Sequence, residues 1–454
     1  MHRTADVRDP SRTTETRPDR LVRDPALWPV AEKVIAGTSL SHADGLTLFA
    51  TPDVHGVGRL ANLVRECING DAAYYNRNRH INYSNVCALS CKFCSFYRKR
   101  GEEGAYEMPV EQVVAAAKKA WDGGATEVHI VGGLHPWLKF DYYLDFLRGI
   151  RATCPGLHVK AFTAIEIVHF SRIARMGIPE VLAALKEAGL GSLPGGGAEI
   201  FDDRVHDEAF KGKVRADKWF EVHRAAHAQG LFTNATMLYG HIEGVAERVT
   251  HLIKLREHQA ESLDAAGIKG SRDQGIKGQP GQPSSIPRSL DPSIPSRAFF
   301  NCIIPLSFIP EDSELGHLPG PTGLNDLRTL AVTRLMVDNV AHIKAFWIMQ
   351  SVHLSQVALD YGCDDLDGTV VWYDITKRQG DAQHQELHVE TIKRLVREAR
   401  RTPVERDTLY RVIERDENDK VIAPKDLVRP ESPPTAVEPR SGKQSPARES
   451  ALAG

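Results

Sequence analysis

The stretch NYSNVCALSCKFCSFYRKR, residues 82–100, places Cys87, Cys91 and Cys94 in one short segment, spaced C-x3-C-x2-C with Phe93 directly before the last cysteine. Electron-transfer 4Fe-4S clusters are usually held by four cysteine thiolates. Three thiolates on one loop hold three irons of a cube and leave the fourth iron open to bind a substrate. The competing reading is zinc, which wants four ligands, commonly from two C-x2-C-like pairs. Only one such pair exists here, and the nearest additional donor, His80, lies upstream on a strand-like run. Cys67, Cys154, Cys302 and Cys363 sit in apolar or turn contexts and read as small hydrophobes.

Composition narrows the setting. With 454 residues the chain is long for one ordinary domain, but α/β barrels reach that scale as single units. A formal net charge of -2 argues against a nucleic-acid binder or a polybasic membrane-surface protein, so a small-molecule substrate is expected. No run of apolar residues is long enough to span a bilayer, and the opening MHRTADVRDPSRTTETRPDR carries no apolar signal core. The expected compartment is therefore a reducing cytoplasm, where seven cysteines do not form a disulfide framework.

Residues 1–25 are charged and nearly free of apolar side chains, which predicts a disordered extension. A helical segment follows over 26–79, with a capping box at Ser41 and Asp44 and an amphipathic stretch at 60–67. From residue 80, strand-like runs at 80–83, 127–131, 159–162, 233–238, 301–306 and 343–348 alternate with helical stretches, and a short strand is expected near 191–193. That rhythm predicts parallel strands with crossover helices through a core of 80–423. Residues 261–297 are rich in Gly, Pro, Ser and Gln and read as a flexible insertion at the end of the barrel opposite the chemistry. Residues 424–454 read as a disordered tail.

Active sites of parallel barrels gather at the C-terminal ends of the strands, and each candidate falls at such an end. The cysteine loop follows the first strand. Gly132 and Gly133 follow the second, where two glycines let backbone approach a ligand closely. Glu166 follows the third, placed to accept hydrogen bonds from a ribose or an amino group. PGGGAE at 194–199 follows the short strand and offers backbone N–H donors without the Lys and Ser/Thr of a P-loop. His135 and His241, after the second and fifth strands, read as acid/base or carboxylate-binding groups.

The segments INYSNVCALSCKFCSFYRKRGEEGAY, GGLHP, KAFTAIEI, SLPGGGAEIF, NATMLYGHIE and DNVAHIKAFWIM, in this order, resemble the aminofutalosine synthases, radical S-adenosylmethionine (SAM) enzymes of the futalosine route to menaquinone. The likeness spans roughly 80–410. The Gly/Pro-rich insertion and Ser95, where alanine is expected, depart from the pattern at places peripheral to the cysteines. The resemblance implies a radical SAM TIM-type (β/α) barrel, full or partial, with N- and C-terminal helical additions. It implies a 4Fe-4S cluster on Cys87, Cys91 and Cys94, and SAM consumed as co-substrate beside Phe93, Gly132, Gly133 and Glu166. It further implies an electron donor such as flavodoxin or ferredoxin. The reaction so implied adds the 5'-deoxyadenosyl radical to 3-[(1-carboxyvinyl)oxy]benzoate, with aryl migration and decarboxylation, to give 6-amino-6-deoxyfutalosine. Arg98, His135, His241, Lys160 and Lys344 are the candidate holders of its two carboxylates. Sibling enzymes, the cyclising enzyme of the same route and the deazaflavin-precursor synthase, would share the loop and barrel; a zinc-binding interaction protein would share only the loop.

Overall fold

A computed structural model describes residues 17–268, 297–369 and 386–425. Its strands are β1 (Ala72–Asn76), β2 (Asn78–Ile81), β3 (Glu127–Ile130), β4 (His158–Ala161), β5 (Thr233–Tyr239), β6 (Phe300–Ser307), β7 (His342–Ile343), β8 (Asp365–Gly368), β9 (Thr402–Glu405), β10 (Val412–Arg415) and β11 (Val421–Lys425).

A closed parallel barrel is assembled from β1 to β8. β2 pairs with β3 and β3 with β4, with His80, His129 and Lys160 in register across the three. Ser192 and Leu193 bridge β4 to β5 as a minimal strand. β5 pairs with β6 and β6 with β7, and Lys344 bridges β7 to Asp365 of β8. The ring closes because the first strand is split at Arg77: its first half, β1, pairs with β8, and its second half, β2, pairs with β3. Thr369 fastens this seam, donating its N–H to Asn76 O and bonding Asn78 through Oγ1.

Helices cover the outside in the manner of a (β/α) barrel. Phe140–Thr153 shows why: Tyr143, Phe146, Leu147 and Ile150 recur at helical spacing and are all 0% exposed. Each such fully buried side chain contributes roughly 1.5–3 kcal/mol. Among the described residues no helix is long and apolar enough to cross a membrane.

Several expectations are corrected. The expected disorder to residue 25 ends earlier: Pro18–Leu21 form a helical turn, and Val22 is 1% exposed against the core. The helical segment over 26–79 does contain the Ser41–Asp44 capping box, but it ends in β1, a strand. The addition after the barrel is mixed rather than helical: helix Val389–Glu398 leads to β9, which pairs with β1, and to the β10–β11 hairpin, whose last residues include 424 and 425. The run at 343–348 is a strand only to Ile343; Trp347–Gln350 is a helical turn. The expected insertion begins later than residue 261, because helix Val245–Ala265 continues to 265 with Leu263 buried. Its remainder, 269–296, lies outside the described residues, as does the tail from 426. The flanks of 269–296 approach β6 at its N-terminal end, opposite the cysteine loop.

Candidate active site

The C-terminal ends of the strands surround a cavity of about 290 Å³. Cys87, Cys91, Phe93 and Cys94 line its rim together with Gly132, Gly133, Glu166, Glu199 and Lys213; His80, His129, Lys160, Lys344 and Asp367 line its floor.

The cysteine loop is held by backbone bonds at both ends. Cys87 N–H donates to Arg98 O, Ala88 N–H to Leu134 O, and Lys99 Nζ to the carbonyls of Cys87 and Leu89. The N–H groups of Leu89 and Leu134 both point to Cys87 Sγ at 3.4 Å, a donor pair suited to a thiolate. Burial pushes the Cys91 thiol up to about 12, with the Lys213 ammonium working against it, and burial raises Cys94 as well. Such thiols ionise when a metal takes them. Among the described residues no three His, Cys, Asp or Glu side chains could hold a single metal ion. A cube makes no such demand, since each thiolate takes its own iron.

Gly133 explains itself sterically. A Cβ there would stand 2.3 Å from Val86 O and 3.1 Å from Cys87 Cβ, so the cysteine loop packs on bare backbone. A Cβ on Gly132 would meet the Tyr83 ring at 2.6 Å. The glycine run at 194–197 packs similarly, with the Gly195 position 2.3 Å from Ala235 Cα.

Glu166 lies in the wall, 1% exposed, but its oxygens are already engaged. Oε2 accepts from Thr163 N and Oγ1 at 2.7 Å, closing a capping box; Oε1 accepts from Tyr83 Oη at 2.8 Å and Gly132 N at 3.2 Å. Burial raises its carboxyl pKa, and these four donors oppose the rise. The expected ligand-binding carboxylate is therefore placed as a bracket for the Gly132–Gly133 turn.

The two histidines expected as acid or base stand outside the cavity wall. His135 Nδ1 accepts from Trp137 N and Leu138 N, and Nε2 lies 2.8 Å from Glu107 Oε2, so both ring nitrogens are committed to the loop. His241 packs behind Phe93 at a 6.4 Å centroid distance, and its Nε2 bonds Leu238 O. Burial lowers the pKa of both, with Glu107 and Glu243 respectively opposing. Arg98 also stands outside the wall, its Nη1 donating to Ser95 O and Tyr97 O. Of the five expected carboxylate holders only Lys160 and Lys344 line the cavity.

Other lining groups escaped the sequence reading. Lys213 forms an ion pair with Glu199 and sits 5.0 Å over the Phe93 ring. Asp367 pairs with Lys344, and Lys160 pairs at 2.6 Å with Glu127, which in turn accepts from Thr408 Oγ1. Glu199 and Asp367 both sit at positive φ, 45° and 64°, in a region few non-glycine residues adopt. Glu199 stood at a strand end in the sequence, in the PGGGAE run, but Asp367 lies in a strand the sequence did not reveal, and the partner of neither was visible.

Residues 81–255 match the radical SAM superfamily, and residues 297–419 match the CofH/MqnC C-terminal region. Aminodeoxyfutalosine synthase of Thermus thermophilus is 44% identical over 87% of this chain and 98% of its own length; that of Streptomyces coelicolor is 39% identical over 84% and 92%. The chain belongs to the aminodeoxyfutalosine synthase family of radical SAM proteins. A 5-amino-6-(D-ribitylamino)uracil--L-tyrosine 4-hydroxyphenyl transferase of Methanopyrus kandleri is also related, at 34% identity over 84% of this chain and 94% of its own. As a radical SAM enzyme, the protein uses a 4Fe-4S cluster and SAM. Solved structures of methylornithine synthase (PylB; TM-score 0.58, 17% identity, 82% of this chain and 96% of that one) and of the FeFe-hydrogenase maturase HydG from Carboxydothermus hydrogenoformans (0.60, 16%, 88% and 84%) share the barrel.

Proposed function

We propose that the protein is an aminodeoxyfutalosine synthase, joining the 5'-deoxyadenosyl group of SAM to the methylene carbon of 3-[(1-carboxyvinyl)oxy]benzoate, with aryl migration and loss of carbon dioxide, to give 6-amino-6-deoxyfutalosine. The observation that carries this reading is the 44% identity extending over 98% of the Thermus relative, against 34% for the hydroxyphenyl transferase relative. Cys87, Cys91 and Cys94 are the residues that hold the cluster. When bound, the cluster supplies the electron that splits SAM into methionine and the adenosyl radical.

The chain's own residues do the rest. Gly133 lets the second loop lie against the cysteine loop, and Glu166 fixes the turn that Gly132 and Gly133 make. Lys213, near Cys91 and Cys94, offsets the negative charge of the thiolates. Val131, Ile304, Leu306 and Phe346 give the cavity apolar walls, which keep water and stray hydrogen donors from a carbon radical and hold the alkene close to it. The electron comes from a low-potential carrier such as flavodoxin or ferredoxin, in the cytoplasm.

The test is anaerobic incubation with SAM, a reductant and either the enolpyruvyl benzoate or the pair L-tyrosine and 5-amino-6-(D-ribitylamino)uracil, followed by mass analysis. The reading expects the amino-deoxyfutalosine mass from the first mixture and no new product from the second. Turnover of the second mixture alone overturns it in favour of the transferase relative.

A further inference from the structure

The floor of the cavity is charged in a way the enclosure alone does not require. Barrel interiors are usually filled with branched apolar side chains, and burying ammonium groups costs several kcal/mol each unless they are well paired. Here Lys160 and Lys344, 4% and 2% exposed, both line the cavity, with His80 at 4% beside them. His80, His129 and Lys160 are register neighbours on β2, β3 and β4 and so occupy one level; Lys344 arrives from the end of β7.

The acids that pair with these lysines are placed unequally. Glu127 is 0% exposed and lies behind Lys160, held from beneath by Thr408, and it is not part of the cavity wall. Only Asp367 shares the wall with its lysine. At its floor the cavity wall therefore presents two ammonium groups and one carboxylate, the counter-charge of Lys160 standing behind it at Glu127. The acids Glu166, Glu199, Glu311 and Asp312 belong to the loops at the rim, where Lys213 is the lining lysine. His129 adds a polar atom: its Nε2 is buried and finds no hydrogen-bond partner among the described residues, and in the Nε2–H tautomer it donates. Phe346 stacks on His80 at a 6.3 Å centroid distance, so an aromatic surface stands against this polar patch.

We propose that His80, His129, Lys160 and Lys344 form a subsite for a carboxylate borne on an aromatic ring. The identity of that ring as the benzoate of the enolpyruvyl substrate rests on the function proposed above. Its orientation follows from chemistry: the cysteines lie at the rim, so the alkene must face the rim, and the ring carboxylate at the opposite end of the molecule reaches the floor. One ammonium whose partner stands behind it, and an imidazole nitrogen without a partner, match a single carboxylate.

Ligand-observed NMR titration of the cluster-loaded protein with benzoate and benzamide tests the subsite without turnover. The unmodified protein should bind benzoate at least about tenfold more tightly than benzamide, a difference of about 1.4 kcal/mol. The double variant Lys160→Met with Glu127→Gln removes both charges of the pair whose ammonium alone faces the cavity, and should abolish the preference while leaving benzamide binding in place. Should that variant fail to fold by circular dichroism, His129→Phe, which orphans no charge, should lower the preference about threefold. Equal binding of benzoate and benzamide by the unmodified protein overturns the proposal, as does an undiminished preference in the folded variants. A benzoate preference that depends on the floor, in a protein that makes no adduct from the enolpyruvyl benzoate, leaves the subsite standing and removes the proposed reaction. Adduct formation with an unaltered preference in the variants does the reverse.

Discussion

At the rim of the cavity the chemistry comes from one contiguous loop and the glycines packed on it; at the floor it comes one residue at a time from separate strands. Cys87, Cys91 and Cys94 are brought together by local chain geometry, with backbone N–H groups aimed at Cys87 Sγ. Lys160, Lys344, Asp367 and His129 meet only because the barrel closes. In the proposed reaction the rim makes the radical and the floor receives the substrate, so the two can be tested separately.

The strongest way to break this comparison is at the rim. Cys87→Ala, Cys91→Ala or Cys94→Ala should each lower cluster iron and cut SAM cleavage by at least about a thousandfold, roughly 4 kcal/mol of barrier. Cys67→Ala, Cys154→Ala, Cys302→Ala and Cys363→Ala should keep the cluster; iron analysis and methionine release distinguish the two groups. A Cys91→Ala variant cleaving SAM at the parent rate would dissolve the rim as described.

Next in size is the seam between the two loops. Gly133→Val puts a side chain where Val86 O and Cys87 Cβ already stand. A displacement of about 1 Å costs on the order of a hundredfold, and the altered placement should raise the share of SAM that ends as free 5'-deoxyadenosine. Product analysis showing parental partitioning would mean that the cysteine loop does not depend on this contact.

Next comes the response to acid, which the floor shares with the barrel around it through buried histidines. Burial takes His80 on the floor down to about 4, against the opposing effect of Asp367 and with a smaller push from Lys160, and burial takes His158 to about 4 and His251 and His258 to about 3. In the unfolded chain these groups protonate near 6.5. Their contribution is therefore complete above pH 6.5 and is lost as pH falls toward 3 to 4, at up to about 1.4 kcal/mol per unit for each group. Urea unfolding midpoints should drop between pH 7.5 and pH 5.5; equal midpoints would show that these histidines already carry protons in the folded protein.

A smaller effect is expected at Glu166. Glu166→Gln keeps the shape but weakens the capping box and the ties to Tyr83 and Gly132, which predicts a loss of about 1–2 kcal/mol in thermal unfolding. A bracket loses stability along with SAM affinity, whereas a ligand would lose SAM affinity with the unfolding temperature unchanged. Smallest of all is the stretch 269–296. Its flanks meet β6 at the end away from the rim, and halving a loop changes closure by only about 0.6 kcal/mol. Replacement by a short Gly/Ser linker should leave turnover within a few-fold of the parent.

The contrast also explains what could be read in advance. The cysteine spacing and the Gly132–Gly133 pair are local signals, and strand runs such as that of β5 are apolar enough to stand out. β8 was invisible because its sequence, DLDG, carries two carboxylates, and only Arg406 and Lys344, far away in sequence, make their burial tolerable. β1 was taken as helix because it is short and abuts β2 across one residue. His135 and His241 looked chemical because they follow strands, yet Trp137 and Leu138 in one case and Phe93 in the other absorb them into the scaffold. Sequence position marks the right end of the barrel but not which way a side chain turns.

In the proposed reaction the adenosyl group stays bonded to the product. With SAM labelled in its adenosine moiety and the enolpyruvyl benzoate present, the account predicts label in a species that also contains the benzoate ring, one methionine per product, and release of carbon dioxide. Label recovered solely as 5'-deoxyadenosine, with no benzoate adduct, would contradict it.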